Sequence, residues 1–165
     1  MKKIEITAAF REFASIEELE DGEKKLMMEA RKAAQDAYAP YSQYRVGAAL
    51  LLENGIVIRG NNQENAAYPS GLCAERVAIF YAGANHPDVP VKAIAITALS
   101  DNHKIDYAVG PCGACRQAIA EYEYRFNHEI KILMMGEEGN VLVAESIKSL
   151  LPLTFNPDDL NKKPK

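Results

Sequence analysis

The sequence predicts an α/β fold in three layers, a mixed sheet of about five strands covered by helices. Two observations predict it. Apolar runs of strand length alternate along the chain with segments of helical period. Two of those runs are separated by Glu53-Asn54-Gly55, and Asn-Gly between apolar runs is a strong hairpin signal. At 165 residues and 48% hydrophobic content, the chain suits one soluble domain around one core.

Residues 2–13 mix apolar and charged positions without a clean period, and a short strand is placed at Lys3–Ala8. Ser15 with Glu18 three positions later has the pattern of a capping box. Leu26, Met27, Ala30, Ala33, Ala34 and Ala37 then recur at helical spacing. That helix starts either at Ser15 or after Gly22, and it ends near Tyr38, ahead of Pro40. Val46–Leu52 and Ile56–Gly60 form the hairpin, followed by a polar loop from Asn61 to Pro69. A second helix runs over Ala74–Ala84, a buried strand over Val91–Leu99, and a third helix over Cys112–Tyr124. Ile130–Met135 and Asn140–Ala144 are the last strands, and a short helix at Ser146–Leu150 precedes Pro152. After Pro157 the chain is charged and expected to fray. The expected organisation is an N-terminal extension at 1–22, one domain at 23–160 and a tail at 161–165.

The charge balance bounds the partners. Nineteen Lys+Arg face 23 Asp+Glu, a net charge of −4, where nucleic-acid binders usually present a basic face. No apolar h-region follows Met1-Lys2-Lys3, and no run approaches the length of a membrane span. A cytoplasmic protein with no nucleic-acid or membrane partner is therefore expected. Three cysteines, two of them in a C-x-x-C, do not make a secreted disulfide framework.

All three cysteines fall in two stretches, Cys73-Ala74-Glu75 and Pro111-Cys112-Gly113-Ala114-Cys115. Three thiols and one carboxylate are what a catalytic zinc needs, namely three ligands, an open position and a base. Cys112 and Cys115 share one face of a helix, one turn apart. Cys73 lies 39 positions before Cys112, also at a helix start. Free N–H groups and the partial positive charge at two helix N-termini would favour thiolates there. Cys73 and Glu75 are badly spaced for one helical face. They converge only if Cys73 is a cap residue, so the helix is expected to start at Cys73 or Ala74. Three thiolates overcompensate the charge of zinc, and Arg76 is placed to offset this by hydrogen bonding to a cysteine sulfur. Plainer readings are a redox C-x-x-C, which leaves Cys73 without a purpose, and a closed structural zinc. The latter needs a fourth ligand from His86, His103 or His128, none at zinc-finger spacing from the cysteines.

These stretches resemble the cytidine deaminase family. The resemblance rests on Cys73-Ala74-Glu75-Arg76 and on Pro111-Cys112-Gly113-Ala114-Cys115-Arg116-Gln117. It extends to Ala39-Pro40-Tyr41-Ser42, Val46-Gly47-Ala48-Ala49-Leu50 and Glu64-Asn65-Ala66-Ala67-Tyr68, and it spans about residues 24–160. It implies one Zn2+ per chain held by Cys73, Cys112 and Cys115. It implies that activated water attacks C4 of cytosine, that Glu75 carries the proton to N3 and then to the leaving amino group, and that ammonia departs. The substrates implied are cytidine and deoxycytidine. Asn62 and Glu64 match the positions that bind the ribose hydroxyl, and the backbone at Ala74 is implied to meet the base. Tyr44 stands where the family commonly has Phe near the base. Phe155 and Tyr68 match aromatics that reach across a subunit boundary in a homo-oligomer, with a tetramer favoured over a dimer. On residues alone, Asn62 and Glu64 read rather as a polar loop capping a helix and Tyr44 as a core or rim aromatic, while Phe155 reads equally as packing of a C-terminal apolar segment. Rival activities are deamination of a modified cytosine nucleoside such as blasticidin S, and a zinc module without catalysis.

Overall fold

The computed structural model describes residues 1–161 and contains six strands in one sheet, ordered β1-β6-β5-β4-β2-β3. The strands are β1 (Arg11–Phe13), β2 (Tyr44–Leu52), β3 (Val57–Asn61), β4 (Val91–Ser100), β5 (Lys131–Met135) and β6 (Val141–Ala144). The helices are α1 (Asp21–Gln35), α2 (Ala74–Asn85), α3 (Gly113–Phe126) and the short α4 (Pro157–Asn161). Among the six described strands only β4 and β5 pair in parallel, and α3 is their crossover.

Strand alternation sorts the core into two layers. Ala49, Ala95, Leu133 and Val143 face α1, which brings Leu26, Met27 and Ala30 to them. Ala48, Leu50, Ile94, Ile96, Ile132 and Met134 face the other way, onto Ala78 and Ile79 of α2 and Ile119 of α3. The three-layer α/β expectation holds. The sheet has one strand more than the five expected, because residues 11–13 add an edge to β6.

Packing of α1 on β2 is close. A Cβ on Gly47 would lie 2.0 Å from Ala30 O and 2.4 Å from Ala34 N, so no other residue fits beneath that helix. The first turn of α1 carries Asp21 and Glu23, and the last carries Lys32, which matches the helix dipole.

Several boundaries differ from expectation. No strand forms at Lys3–Ala8. Ile4, Ile6 and Phe10 are exposed, and the pairing falls at Arg11–Phe13, where Phe13, Ile16 and Leu19 anchor the chain in the α1-side core. Ser15 caps a 3-10 turn, Ile16–Glu18, and not α1; its hydroxyl accepts from Glu17 N at 3.2 Å. α1 ends at Gln35, three residues before Tyr38, because Tyr38 N turns to donate to Asn62 O at 3.1 Å. After Pro157 the chain forms α4, with Tyr124 Oη donating to Asp158 at 2.8 Å. The expected tail lies, from residue 162, outside the described residues.

Glu123 was not singled out by the sequence. It is buried in α3, where it accepts from Ile130 N at 2.8 Å, Ile147 N at 2.9 Å and Ser146 Oγ at 2.9 Å. One carboxylate thereby ties the far end of α3 to the start of β5 and the chain leaving β6.

Candidate active site

Helix starts build the centre of the site. Cys73 is the N-cap of α2 and Cys112 the N-cap of α3, both extended in backbone, and neither side chain caps its own helix. The expectation that α2 starts at Cys73 or Ala74 is met. Pro111 precedes the cap of α3 and is not in its first turn; its carbonyl accepts from Arg116 Nε at 2.8 Å. Cys115 follows in the first turn of α3 and is fully buried.

The freed thiols converge. Cys73 Sγ lies 3.8 Å from Cys112 Sγ, and Cys112 Sγ lies 3.5 Å from Cys115 Sγ. All three sulfurs fall within 4.8 Å of one another. Zinc–sulfur bonds of about 2.3 Å at tetrahedral angles hold sulfurs about 3.8 Å apart. The donor set therefore fits a zinc ion with the helices where they stand. Among the described residues no histidine joins the group. His128 is 3.2 Å from Glu53, His103 is 3.4 Å from Ser100 Oγ, and His86 caps the end of α2. A closed Cys3His site is thus excluded here, leaving a fourth position open.

Charge is distributed unevenly over the thiols. Hydrogen bonding with Cys115 outweighs burial, and Arg76 and Cys112 add to it, bringing Cys73 down to about 5. Cys115 is pushed up, by its hydrogen bond to Cys73 and then by burial. Arg76 Nη2 donates to Cys73 Sγ at 3.6 Å. Glu75 is 4% exposed, and its carboxyl is raised chiefly by burial.

Cys73, Cys112 and Glu75 line a cavity of about 620 Å³. Tyr44, Val46, Ile96 and Val109 form walls, and Asn62 and Glu64 lie on the side formed by the loop after β3. A larger cavity, of about 730 Å³, lies between the far end of α3 and residues 152–156 and contains none of the thiols, so chemistry and not size picks out the site.

Asn62 is fastened to the start of β2 and Glu64 to the turn just before it. Asn62 Oδ1 accepts from Val46 N at 2.7 Å, and Asn62 Nδ2 donates to Tyr44 O at 2.9 Å. The Glu64 carboxylate accepts from Tyr41 N at 2.9 Å, from Ser42 N at 3.2 Å and from Ser42 Oγ. Burial would raise Glu64, but these bonds prevail and hold it below the usual carboxylate value.

Other candidates spread out. Tyr44 is half-buried in the cavity wall, and burial raises its hydroxyl pKa. Tyr68 stands at the rim, 76% exposed, with its ring 6.2 Å from that of Tyr41. Ala74 is fully buried and does not line the cavity. Phe155 is exposed and outside it, its carbonyl accepting from Gln117 Nε2 at 2.7 Å. Sequence reasoning missed the apolar walls Leu72, Ile96 and Val109. It also missed the link from Ser42 to Glu64, although Ser42 stood inside a stretch already singled out.

Thiols from two helix starts, with a buried carboxylate lining a cleft, place the chain among α/β proteins built to bind a soft divalent metal beside an acid–base group. A family model described as the cytidine and deoxycytidylate deaminase zinc-binding region matches residues 20–127. The chain belongs to this family of zinc-binding deaminases, and its cofactor is one zinc ion. It is 39% identical over 138 residues to a cytidine deaminase of Sporosarcina psychrophila, covering 84% of this chain and 94% of that one. It is 40% identical over 136 residues to one from Halalkalibacterium halodurans, covering 82% and 96%. The crystal structure of cytidine deaminase from Burkholderia pseudomallei superposes with a TM-score of 0.69 at 38% identity, over 79% of this chain and 97% of that one.

Proposed function

We propose that this protein hydrolyses cytidine and deoxycytidine to uridine and deoxyuridine with release of ammonia. The observation that carries the reading is Glu75, buried in the lining of a nucleoside-sized cleft beside three convergent thiols. Cys73, Cys112 and Cys115 would hold the zinc, which supplies Lewis acidity that makes water a nucleophile near neutral pH. Glu75 takes one proton of the attacking water and delivers it to N3, where it stays, then takes the second proton from the hydroxyl added at C4 and delivers it to the departing amino group, which leaves as ammonia as C4=O forms. A carboxyl raised by burial is suited to both holding and releasing each proton. Arg76 offsets the charge of Cys73 through its hydrogen bond. The base stacks among the apolar walls beside Tyr44.

Asn62 and Glu64 bind the sugar. With the bonds described above, Asn62 retains one free N–H and Glu64 one free lone pair. That pair complements a hydroxyl, which accepts from one and donates to the other. A carboxylate there opposes a phosphodiester, which speaks for a free nucleoside over a polynucleotide.

We further place the catalytic unit at residues 23–160, with 1–22 as an extension that packs on it through β1 and Leu19 and leads into α1, in a soluble cytoplasmic enzyme of pyrimidine salvage. Exposed Tyr68 and Phe155 suit contact with neighbouring copies in a homotetramer. The test is a spectrophotometric assay with cytidine and with blasticidin S, with and without a chelator. Chelator-sensitive turnover of cytidine is expected. Turnover of the antibiotic alone overturns the reading. Light scattering reports the oligomer.

A further inference from the structure

Tyr41-Ser42 is a part of the singled-out sequence that the chemistry above leaves without a task. Its environment gives it one. An ionised carboxylate offers about four lone-pair sites. On Glu64, Oε2 takes the N–H groups of Tyr41 and Ser42, and Oε1 takes the Ser42 hydroxyl. Two backbone donors on Oε2 leave rotation of the carboxylate plane opposed mainly by the bond on Oε1. The Ser42 hydroxyl is itself fixed in direction. It accepts from Tyr44 N at 3.1 Å, so its single proton is committed to Glu64.

The loop that carries Ser42 does not depend on that hydroxyl for its shape. Gln43 N donates to Ala39 O at 3.0 Å, Glu64 N donates to Tyr38 O at 2.9 Å, and Asn102 Nδ2 donates to Ser42 O at 3.4 Å. Removing the hydroxyl therefore leaves these backbone bonds of the loop in place, while it takes a donor from Glu64 Oε1 and an acceptor from Tyr44 N.

Resting on the deaminase reading, we propose that Ser42 is a positioning residue for sugar recognition: its hydroxyl fixes the Glu64 carboxylate so that the remaining lone pair of Oε1 points at the sugar hydroxyl. Ser42 makes no hydrogen bond to the thiols or to Glu75, so its influence falls on binding of the sugar and not on proton transfer at the ring. Glu64 supplies the charge, and Ser42 supplies the direction.

The test compares wild type, Ser42→Ala and Ser42→Thr on cytidine and on 2′,3′-dideoxycytidine, which lacks the sugar hydroxyls that pair with Glu64. Freeing a charged acceptor in this way is expected to raise KM for cytidine about five- to tenfold in Ser42→Ala, with kcat within about twofold. KM for the dideoxynucleoside is expected to change less than about twofold, since its recognition does not use that lone pair. Ser42→Thr, which keeps a hydroxyl, is expected to restore cytidine KM. An unchanged cytidine KM in Ser42→Ala overturns the inference. So does an equal loss on both substrates, which would mark a structural role for the loop, and so does a Thr variant as impaired as Ala. Those outcomes leave the deaminase reading standing. A wild-type protein that turns over neither nucleoside overturns both.

Discussion

Gly60 of β3 and Ala74 of α2 touch with no room between them: a Cβ on Gly60 would lie 2.5 Å from Ala74 O and 2.7 Å from Ala78 N. Ala74 directly follows Cys73, so this contact sets the height of one thiol above the sheet. Gly60→Ala is expected to push α2 outward, lower stability by about 1–3 kcal/mol and reduce zinc content. Urea unfolding and metal analysis of the purified variant check it.

Glu75→Gln keeps the shape of the buried side chain and removes its proton chemistry. Fold and zinc content are expected to persist, while kcat falls by about 10²- to 10⁴-fold. Steady-state kinetics beside metal analysis decides, and normal turnover by this variant would sink the mechanism.

Cys112→Ser removes one of the three convergent thiols. Zinc per chain is expected to fall far below one. A chelator is expected to lower the melting temperature of the wild type by at least about 3 °C, the shift of a 1 kcal/mol loss at this size, and to leave that of the variant unchanged. A chelator response retained in the variant would argue against Cys112 as a ligand.

Glu64 is held below its ordinary value of 4.5 by the Ser42 hydroxyl and the Tyr41 and Ser42 amides, against the opposing effect of burial. A carboxyl whose folded value is depressed stabilises the fold above its unfolded value, and that contribution is lost as pH falls through the folded value. Wild type is thus expected to exceed Glu64→Gln in stability at pH 5–7, with the gap closing below about pH 4.5. Urea titrations across that range measure it, and a gap that widens toward acid would contradict the sign.

Residues 1–10 lie on the outside, whereas Leu19 is 6% exposed in the α1-side core. Deleting residues 2–10 is expected to change stability by less than about 0.5 kcal/mol. Deleting through Glu20 is expected to cost more than about 2 kcal/mol and to promote aggregation, because it empties the Leu19 site and uncovers the edge of β6. Unfolding and light-scattering measurements on the two truncations separate these cases.

Thiol placement was legible in the sequence because cap geometry is local: Cys73 and Glu75 can meet only if the helix begins between them. The hairpin was legible for the same reason, with Gly55 N closing its turn on Leu52 O at 2.9 Å. The edge strand was not. A short strand was expected at Lys3–Ala8, in a stretch without a clean period, yet pairing went to Arg11–Phe13, since only there do the following residues Ile16 and Leu19 reach a core built from α1 and β5–β6. That core is made of residues far along the chain, which no local pattern reports. The sugar side of the cleft was half legible. The spacing of Asn62 and Glu64 shows in the sequence, but their fastening to Tyr44, Val46 and Ser42 exists only once β2 and β3 have paired.

Glu123 fixes the far end of α3, and Arg116 fixes the near end through Pro111 O at 2.8 Å and Leu150 O at 2.9 Å. A helix clamped at both ends behaves as a rigid lever, which can neither slide nor turn by itself. The Ile130 and Ile147 amides that close the far clamp therefore exchange with solvent deuterium only when α3 lets go. Their exchange rates become a direct gauge, read about two and a half helical turns away, of how often Cys112 and Cys115 leave their places.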